Sequence, residues 1–405
     1  MVIAEAHPWP PRDGYKLRLA NLIEGLAAEG PVDFVCLDGS GRYRDAAPDG
    51  VTVIDAPERP ELGAKAWLPR WLRSSDPRRL VRRDFSVARQ VISTLDLGAY
   101  DVTFFSHVDS WQQTGDLISG PSFLDFDNLE NLALRGIRML GPVTAPDDGV
   151  PQRAMAGLRW VVASTFNRID ERRWDVAQRR SAGMVDRVLV CSAIDVERSG
   201  CPNVVVIPNG YTRSWEPGDH AAVIDPQRPV FLFVGLLGYA PNIDAVRWFA
   251  SDVLPLIRRQ LPGAEFRVVG RHCESVESLG ALAGVTIVGA VDSLQAETER
   301  ADVSVVPIRS GAGTRLKVVE AMANRLPMVS TTVGCEGIDV VDGTHLLIAD
   351  DAETFAGACV RAVTDRDARA AMIEASEQLY ERQYQWSAIR AKVAALARSL
   401  ADPPA

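Results

Sequence analysis

Several classes of protein are excluded by what the 405-residue sequence lacks. Nothing in it resembles a secretory leader, so none is expected, and no apolar run approaches the roughly 20 residues that a bilayer-crossing helix needs. The expectation is a cytoplasmic protein, with at most peripheral contact at the inner face of a membrane. Cysteine is sparse. Cys36, Cys191, Cys201, Cys273, Cys335 and Cys359 are scattered, with no C-x-x-C pair and no histidine at ligand spacing. Neither a disulfide framework nor a zinc site is expected, and a reducing cytosol suits them. An excess of positive charge is also missing: the net charge of −9 argues against nucleic acid, whose phosphate backbone demands a surplus of lysine and arginine. There is no aspartate-rich motif for a metal, no internal repeat and no low-complexity segment. An apolar fraction of 47% and a charged fraction of 24% describe a soluble globular protein, long enough for two domains.

Short β-branched runs recur at 51–55, 100–106, 121–126, 187–192, 204–208, 230–235, 265–270, 285–289, 303–307 and 328–332. Between many of them lie helical patterns, such as Leu19, Leu22, Ile23 and Leu26, or Val246, Phe249, Val253, Leu256 and Ile257 across 245–260. Strands alternating with helices imply βαβ units and parallel sheets covered on both sides, and there are too many units for one sheet. The stretch 208–229, rich in proline, glycine and polar residues, reads as a linker between two α/β domains. In tandem, two such doubly wound domains direct the carboxyl ends of their strands at a cleft.

The densest chemistry lies in "GAGTRLKVVEAMA" (311–323), where the strand-like "ADVSVVPI" (301–308) hands over to a helix. The first N–H groups of a helix have no partner and attract anions. Gly311 and Gly313 permit close backbone approach, and Thr314 can cap or hydrogen-bond. Arg315 and Lys317 add cations that favour a phosphate. A charge-assisted hydrogen bond contributes about 1.5–3 kcal/mol against about 0.3–1 for the helix dipole, so the side chains dominate. Glu320 stands three residues beyond Lys317 on the same face, where a carboxylate suits ribose hydroxyls. An ordinary βα turn with a solvated Lys–Glu pair is the alternative.

Taken with "HPWPPRDGYKLRLANLIEGLA" (7–27), "RVLVCSAID" (187–195), "VVVIPNGYT" (204–212) and the long run 231–270, this motif resembles the retaining glycosyltransferases of the GT-B fold, glycosyltransferase family 4. The similarity runs over almost the whole chain. It implies two tandem Rossmann-like doubly wound domains with a cleft between them: an acceptor domain over 1–210, with a helix at about 385–405 packing back on it, and a nucleotide-sugar donor domain over 211–384. It implies a metal-independent transfer, with retention, from a nucleotide-diphosphate sugar to an acceptor that is a small molecule, a glycan or a lipid-linked intermediate. No cofactor is expected. By the resemblance Glu320 meets the ribose, Gly313 and Thr314 place amides near the diphosphate, and Gly14 brings the first loop to the phosphates. Arg271, with His272 beside it, lies where it can approach the base.

The sequence also departs from the family. Its paired glutamates stand eight positions apart, and the partner of Glu320 is here Ala312. The cations that follow the family's first donor-domain strand are absent from "GLLGYAPN" (235–242), so the charge is expected to come from Arg315 and Lys317 instead; Asn242 reads as a helix N-cap. Where many relatives carry a histidine facing the sugar, this chain has Phe126 beside Asp127. Asp127 is a candidate to orient or deprotonate an acceptor hydroxyl, with a pKa raised by a closed cleft, or else caps a helix starting at Leu129. His107, also at a strand end, is the second catalytic candidate; His7 and His345 read as loop residues. Trp67 and Trp71 among six arginines in 67–84 suggest a surface for an anionic membrane or a phosphate-bearing acceptor, a solvated basic face being the alternative. Two rival readings remain: a non-catalytic nucleotide-sugar-binding partner protein, and an epimerase of the same fold.

Overall fold

The computed structural model describes residues 1–11, 13–39, 44–57, 61–139, 141–142, 149–213, 215–218, 224–311 and 315–402. The chain forms two compact units. One comprises Met1–Leu134, Thr165–Asn209 and Trp386–Ala405; the other Arg135–Ser164 and Gly210–Gln385.

The first unit is built on seven parallel strands: β1 (Val2–Ala4), β2 (Val32–Gly39), β3 (Val51–Pro57), β4 (Thr103–Ser106), β5 (Ser122–Asp125), β6 (Arg187–Val190) and β7 (Val204–Val206), in the order β3-β2-β1-β4-β5-β6-β7. Side chains alternate across a strand, and here both faces are apolar. Val2, Phe34, Phe104, Phe123 and Leu189 belong to one buried cluster, while their neighbours Ile3, Val35, Phe105, Leu124 and Val188 belong to another. Burial on both faces requires cover on both. Helix Gly14–Ala27 supplies Leu19, Leu22 and Ile23 to the first cluster, and helix Trp386–Ala401 supplies Trp386, Ile389 and Val393. The two helices touch at Gly25, where an added side chain would begin 2.7 Å from Val393 Cγ1 and 2.9 Å from the Arg390 carbonyl oxygen.

The second unit holds six parallel strands: β8 (Val230–Val234), β9 (Glu265–Val269), β10 (Val285–Gly289), β11 (Val303–Val306), β12 (Met328–Ser330) and β13 (Leu347–Ile348), in the order β10-β9-β8-β11-β12-β13. Its core is one apolar cluster with Phe231, Phe233, Phe249, Phe266 and Phe355 fully buried. The amphipathic stretch 245–260 is not one helix. Helix Ala240–Trp248 passes through a π turn at Phe249–Val253 into Leu254–Gln260, whose second residue is Pro255. Proline is tolerated in a first helical turn, where its missing N–H costs nothing.

All ten strand-like runs of the sequence form strands, and β1, β2 and β13 are additional. In both sheets the order reverses direction beside the first strand formed, at β1/β4 and at β8/β11. Open parallel sheets bind ligands beyond the carboxyl ends of such neighbours.

Candidate functional site

In the second unit β9, β8 and β11 lie side by side, so the loops after them share one edge of the sheet. The loop after β8 is tied to the loop after β9, because the Leu237 N–H donates to the Arg271 carbonyl at 2.9 Å. Arg271 itself is exposed. His272 beside it has a left-handed φ of 61° and packs against Gly238.

Helix Leu316–Ala323 follows β11 and brings the charged groups. Lys317 Nζ donates to Asn242 Oδ1 at 2.8 Å and lies 4.5 Å from the centre of the Phe233 ring. A cation from the β11 loop therefore stands at the end of β8, beside the "GLLGYAPN" segment that has none of its own. Asn242 is not the N-cap that its sequence position suggests; Tyr239 takes that place, and Asn242 Nδ2 donates instead to the Leu236 carbonyl at 2.9 Å. Arg315 is buried and donates from Nε to the Val333 carbonyl at 3.1 Å. Its guanidinium also lines Gly311, whose φ of 119° strains any residue but glycine. Burial lowers the Lys317 pKa to about 7, Arg315 adds to the effect, and Glu320 opposes it. Glu320 is pushed up to about 7 by burial, against a hydrogen bond from the Tyr211 hydroxyl at 3.3 Å and the attraction of Lys317. Gly313, Thr314 and Ala312 lie outside the described residues.

Sequence reasoning missed two members of this group. Tyr211 falls in the stretch read as a linker, yet its backbone pairs with Tyr384 and its hydroxyl with Glu320. Ser310, at the head of the glycine loop, has a buried hydroxyl with no hydrogen-bond partner among the described residues. An unsatisfied buried hydroxyl one residue before Gly311, which the Arg315 guanidinium lines, is a cue that only packing reveals.

In the first unit His107 and Asp127 sit just past the ends of the neighbouring strands β4 and β5. Both are non-glycine residues at positive φ, 66° and 50°, a conformation that costs on the order of 1–3 kcal/mol and clusters at functional sites. His107 Nε2 lies 3.5 Å from Asp127 Oδ2, and the Tyr15 ring stacks on the imidazole at 4.4 Å. Tyr15 follows Gly14, the first residue of helix Gly14–Ala27, whose N-cap Asp13 accepts from the Lys16 N–H at 3.0 Å. The residue after Gly14 thus packs on His107, which in turn faces Asp127. Beneath them Arg18, 1% exposed, clamps Asp125 through two hydrogen bonds of 2.6 and 2.8 Å and donates to the Ile207 carbonyl and to Asn209. Asn209 Nδ2 in turn donates to Asp127 Oδ1 at 3.2 Å.

The expected rise in the Asp127 pKa does not occur. Burial pushes it up, but the His107 imidazole, the Arg18 guanidinium and Asn209 outweigh burial and hold the carboxyl well below the usual range. Nor does Asp127 cap a helix, since the next one spans Glu130–Met139. Burial lowers the His107 pKa while Asp127 raises it, and the net direction is up. Each group favours the charged form of the other, which suits His107 to donating a hydrogen bond rather than to abstracting a proton. Phe126 is buried, and a histidine, His107, stands at the adjoining strand end. In Asp127→Asn the imidazole loses its partner and keeps its burial, so its NMR titration midpoint is expected to fall below the wild-type value; an unchanged midpoint would refute the pairing.

The scattered cysteines yield one cluster that spacing did not show. Ligand atoms of His7, Cys36 and Asp55 lie within 4.8 Å of one another, and His7 Nε2 already bonds Asp55 Oδ1 at 2.5 Å. Burial pushes the Cys36 thiol up to about 12, so it is protonated as it stands. His7 lies in the loop after β1 and is buried there.

Comparison with known proteins follows this geometry. The Glycosyl transferases group 1 family matches residues 228–365, the segment that carries Arg271, Arg315, Lys317 and Glu320. Among solved structures, the sucrose-phosphate synthase of Thermosynechococcus elongatus superimposes with a TM-score of 0.69 at 19% identity, over 98% of both chains. WaaG, a glycosyltransferase involved in lipopolysaccharide biosynthesis, gives 0.60 at 14% identity over 98% of this chain and 99% of its own. Anabaena HepE, in complex with UDP and glucose, gives 0.59 at 12% identity over the same shares. The fold is that of the GT-B glycosyltransferases, two parallel-sheet α/β domains, and the family match with these neighbours supports an enzyme. An uncharacterized 44.6 kDa protein from the cps region of Klebsiella pneumoniae is 29% identical over 134 residues, 31% of this chain. That match spans 34% of the relative, about a third of its length.

Proposed function

We propose that the protein is a glycosyltransferase that moves a sugar from a nucleotide-diphosphate donor to an acceptor hydroxyl, without a metal and with retention at the anomeric carbon. The observation that carries this reading is the Arg315, Lys317 and Glu320 group at one helix start, inside the segment that matches the family. Arg315 and Lys317 stabilise the departing diphosphate, with Ser310, Gly313 and Thr314 around the glycine loop. Glu320, oriented by Tyr211, accepts from the ribose, and Arg271 with His272 borders the base. In the first unit, the His107 imidazolium, held by Asp127 and flanked by Gly14, donates to the sugar or to the departing phosphate. The HepE complex with UDP and glucose makes a uridine donor the first to try. The reduced cysteines suit the cytoplasm, and among the described residues no helix is long and apolar enough to cross a membrane.

The test is calorimetry with a panel of nucleotide sugars, with and without chelator, followed by NMR of the anomeric signal during turnover. Metal-independent binding and slow hydrolysis or transfer with retention support the proposal. Binding without any turnover would point to a partner protein, as Ala312 in place of the first family glutamate allows. Release of nucleotide with an altered sugar would point to an epimerase. Glu320 is protonated below about pH 7, so wild-type affinity for the nucleoside portion is expected to decline as pH falls through 7. Glu320→Gln should flatten that limb; a limb that persists in the variant would remove Glu320 from the ribose.

A further inference from the structure

Four of the six arginines of 67–84 are held in ion pairs, while Arg70 and Arg73 are exposed. Trp71 is 2% exposed and donates from its indole to Asp170. Arg78 bonds Asp170 at 2.5 Å, Arg82 pairs with Glu61 at 2.9 Å, and Arg83 with Asp38 at 2.7 Å. Arg79 pairs with Asp109 and, at 2.8 Å, with Glu130, and lies over the Trp174 ring. These groups wall a cavity of about 370 Å³ wholly within the first unit, inside the roughly 300–1,000 Å³ range of small-molecule sites. One carboxylate in the wall is different. Glu5 directly follows β1, at the switch point between β1 and β4, and its side chain has no hydrogen bond or ion pair among the described residues. The charges of Asp109, Arg79, Arg83 and His107 all act on it, and Asp109, which Arg79 of the wall holds, lies two residues after His107.

The charge pattern selects the ligand. Each wall arginine already has its carboxylate, so an entering phosphate would have to break ion pairs and would meet Glu5, Glu61 and Glu130 as like charges. A neutral polyol needs none of that, and its hydroxyls both donate to carboxylates and accept from guanidinium N–H groups. We propose that this cavity is the acceptor subsite and that it takes an uncharged sugar or polyol, with Glu5 accepting one of its hydroxyls. This rests on the transferase reading above and narrows its acceptor to one without phosphate or carboxylate. It also replaces the anionic acceptor or membrane surface that the arginine count alone suggests.

The experiment titrates full-length protein with glucose, myo-inositol and glucose 6-phosphate by saturation-transfer NMR, with UDP-glucose binding measured on the same samples. The expected result is binding of the neutral ligands in preference to the phosphate, and about tenfold weaker glucose binding in Glu5→Ala, the loss of one charge-assisted hydrogen bond. Arg70→Gln, exposed and outside the cavity wall, serves as a second variant and should leave the preference for neutral ligands intact. Stronger binding of glucose 6-phosphate, or wild-type glucose affinity in a folded Glu5→Ala, would overturn the inference. If UDP-glucose still binds in that case, the transferase reading stands; if neither sugar nor UDP-glucose binds wild type, both fail.

Discussion

Methionine in place of Lys317 is expected to weaken nucleotide-sugar binding by roughly 10- to 150-fold, the equivalent of a charged hydrogen bond worth about 1.5–3 kcal/mol. Methionine keeps an unbranched side chain and removes the charge, with its contact to the Phe233 ring and its hydrogen bond to Asn242. The pH dependence identifies the residue more sharply than the magnitude. With a pKa near 7 in the empty site, Lys317 is largely neutral at pH 8. A diphosphate beside it favours the charged form, so the bound pKa is higher and binding takes up a proton in the interval between the two values. Affinity should therefore fall as pH rises above 7, by up to about tenfold per unit. Calorimetry in buffers of different ionisation enthalpy reads the proton uptake directly. A nucleotide sugar is the right probe, because its diphosphate does not titrate in this range. If the affinity of Glu320→Gln, which lacks the acid limb, is equal at pH 6.5 and 8.5, or if Lys317→Met keeps the proton uptake, Lys317 does not face the diphosphate.

Arg18→Met is expected to cost about 3–5 kcal/mol of stability, because it leaves the Asp125 carboxylate buried with its charge unmatched. The guanidinium also holds the Ile207 and Pro208 carbonyls and Asn209, so the loss reaches the end of the segment Thr165–Asn209. The companion variant Arg18→Met with Asp125→Leu should recover most of the loss, since an apolar pair of similar volume replaces a buried ion pair at little cost. Urea denaturation of the two variants and wild type checks both statements. A single variant within 1 kcal/mol of wild type, to about that precision, would show that the pair is solvated rather than buried.

The periodicity of apolar residues carried most of the fold, and its failures have identifiable causes. β1 is only three residues, "VIA", too short to show any period, although it is a central strand. β2 carries Asp33 and Asp38, which break an apolar run whose alternate members are nonetheless buried on both sheet faces. At the site, residue types and spacing identified Lys317 and Glu320 but not the end of β8 to which Lys317 reaches, because that depends on β8 and β11 being neighbours. His107 and Asp127 were each legible as strand-end residues. Their pairing, and with it the sign of the Asp127 shift, depends on β4 lying next to β5. The arginines of 67–84 show the same limit. Composition counts their charge, whereas Asp170, which neutralises Arg78, comes from far along the chain.

The split make-up of the first unit bears on how the chain is made. Leu19, Leu22 and Ile23 wait for Trp386, Ile389 and Val393 to complete their cluster. On the ribosome, at about 5–20 residues per second, the covering helix emerges on the order of ten seconds or more after Asn209. All of Gly210–Gln385 is translated in that interval, so the second unit can close on its own core while the first still shows an apolar face. The unit begun first is thus the last to be sealed. Proteolytic clipping before Trp386 would reopen that face and leave every residue of the second unit in place.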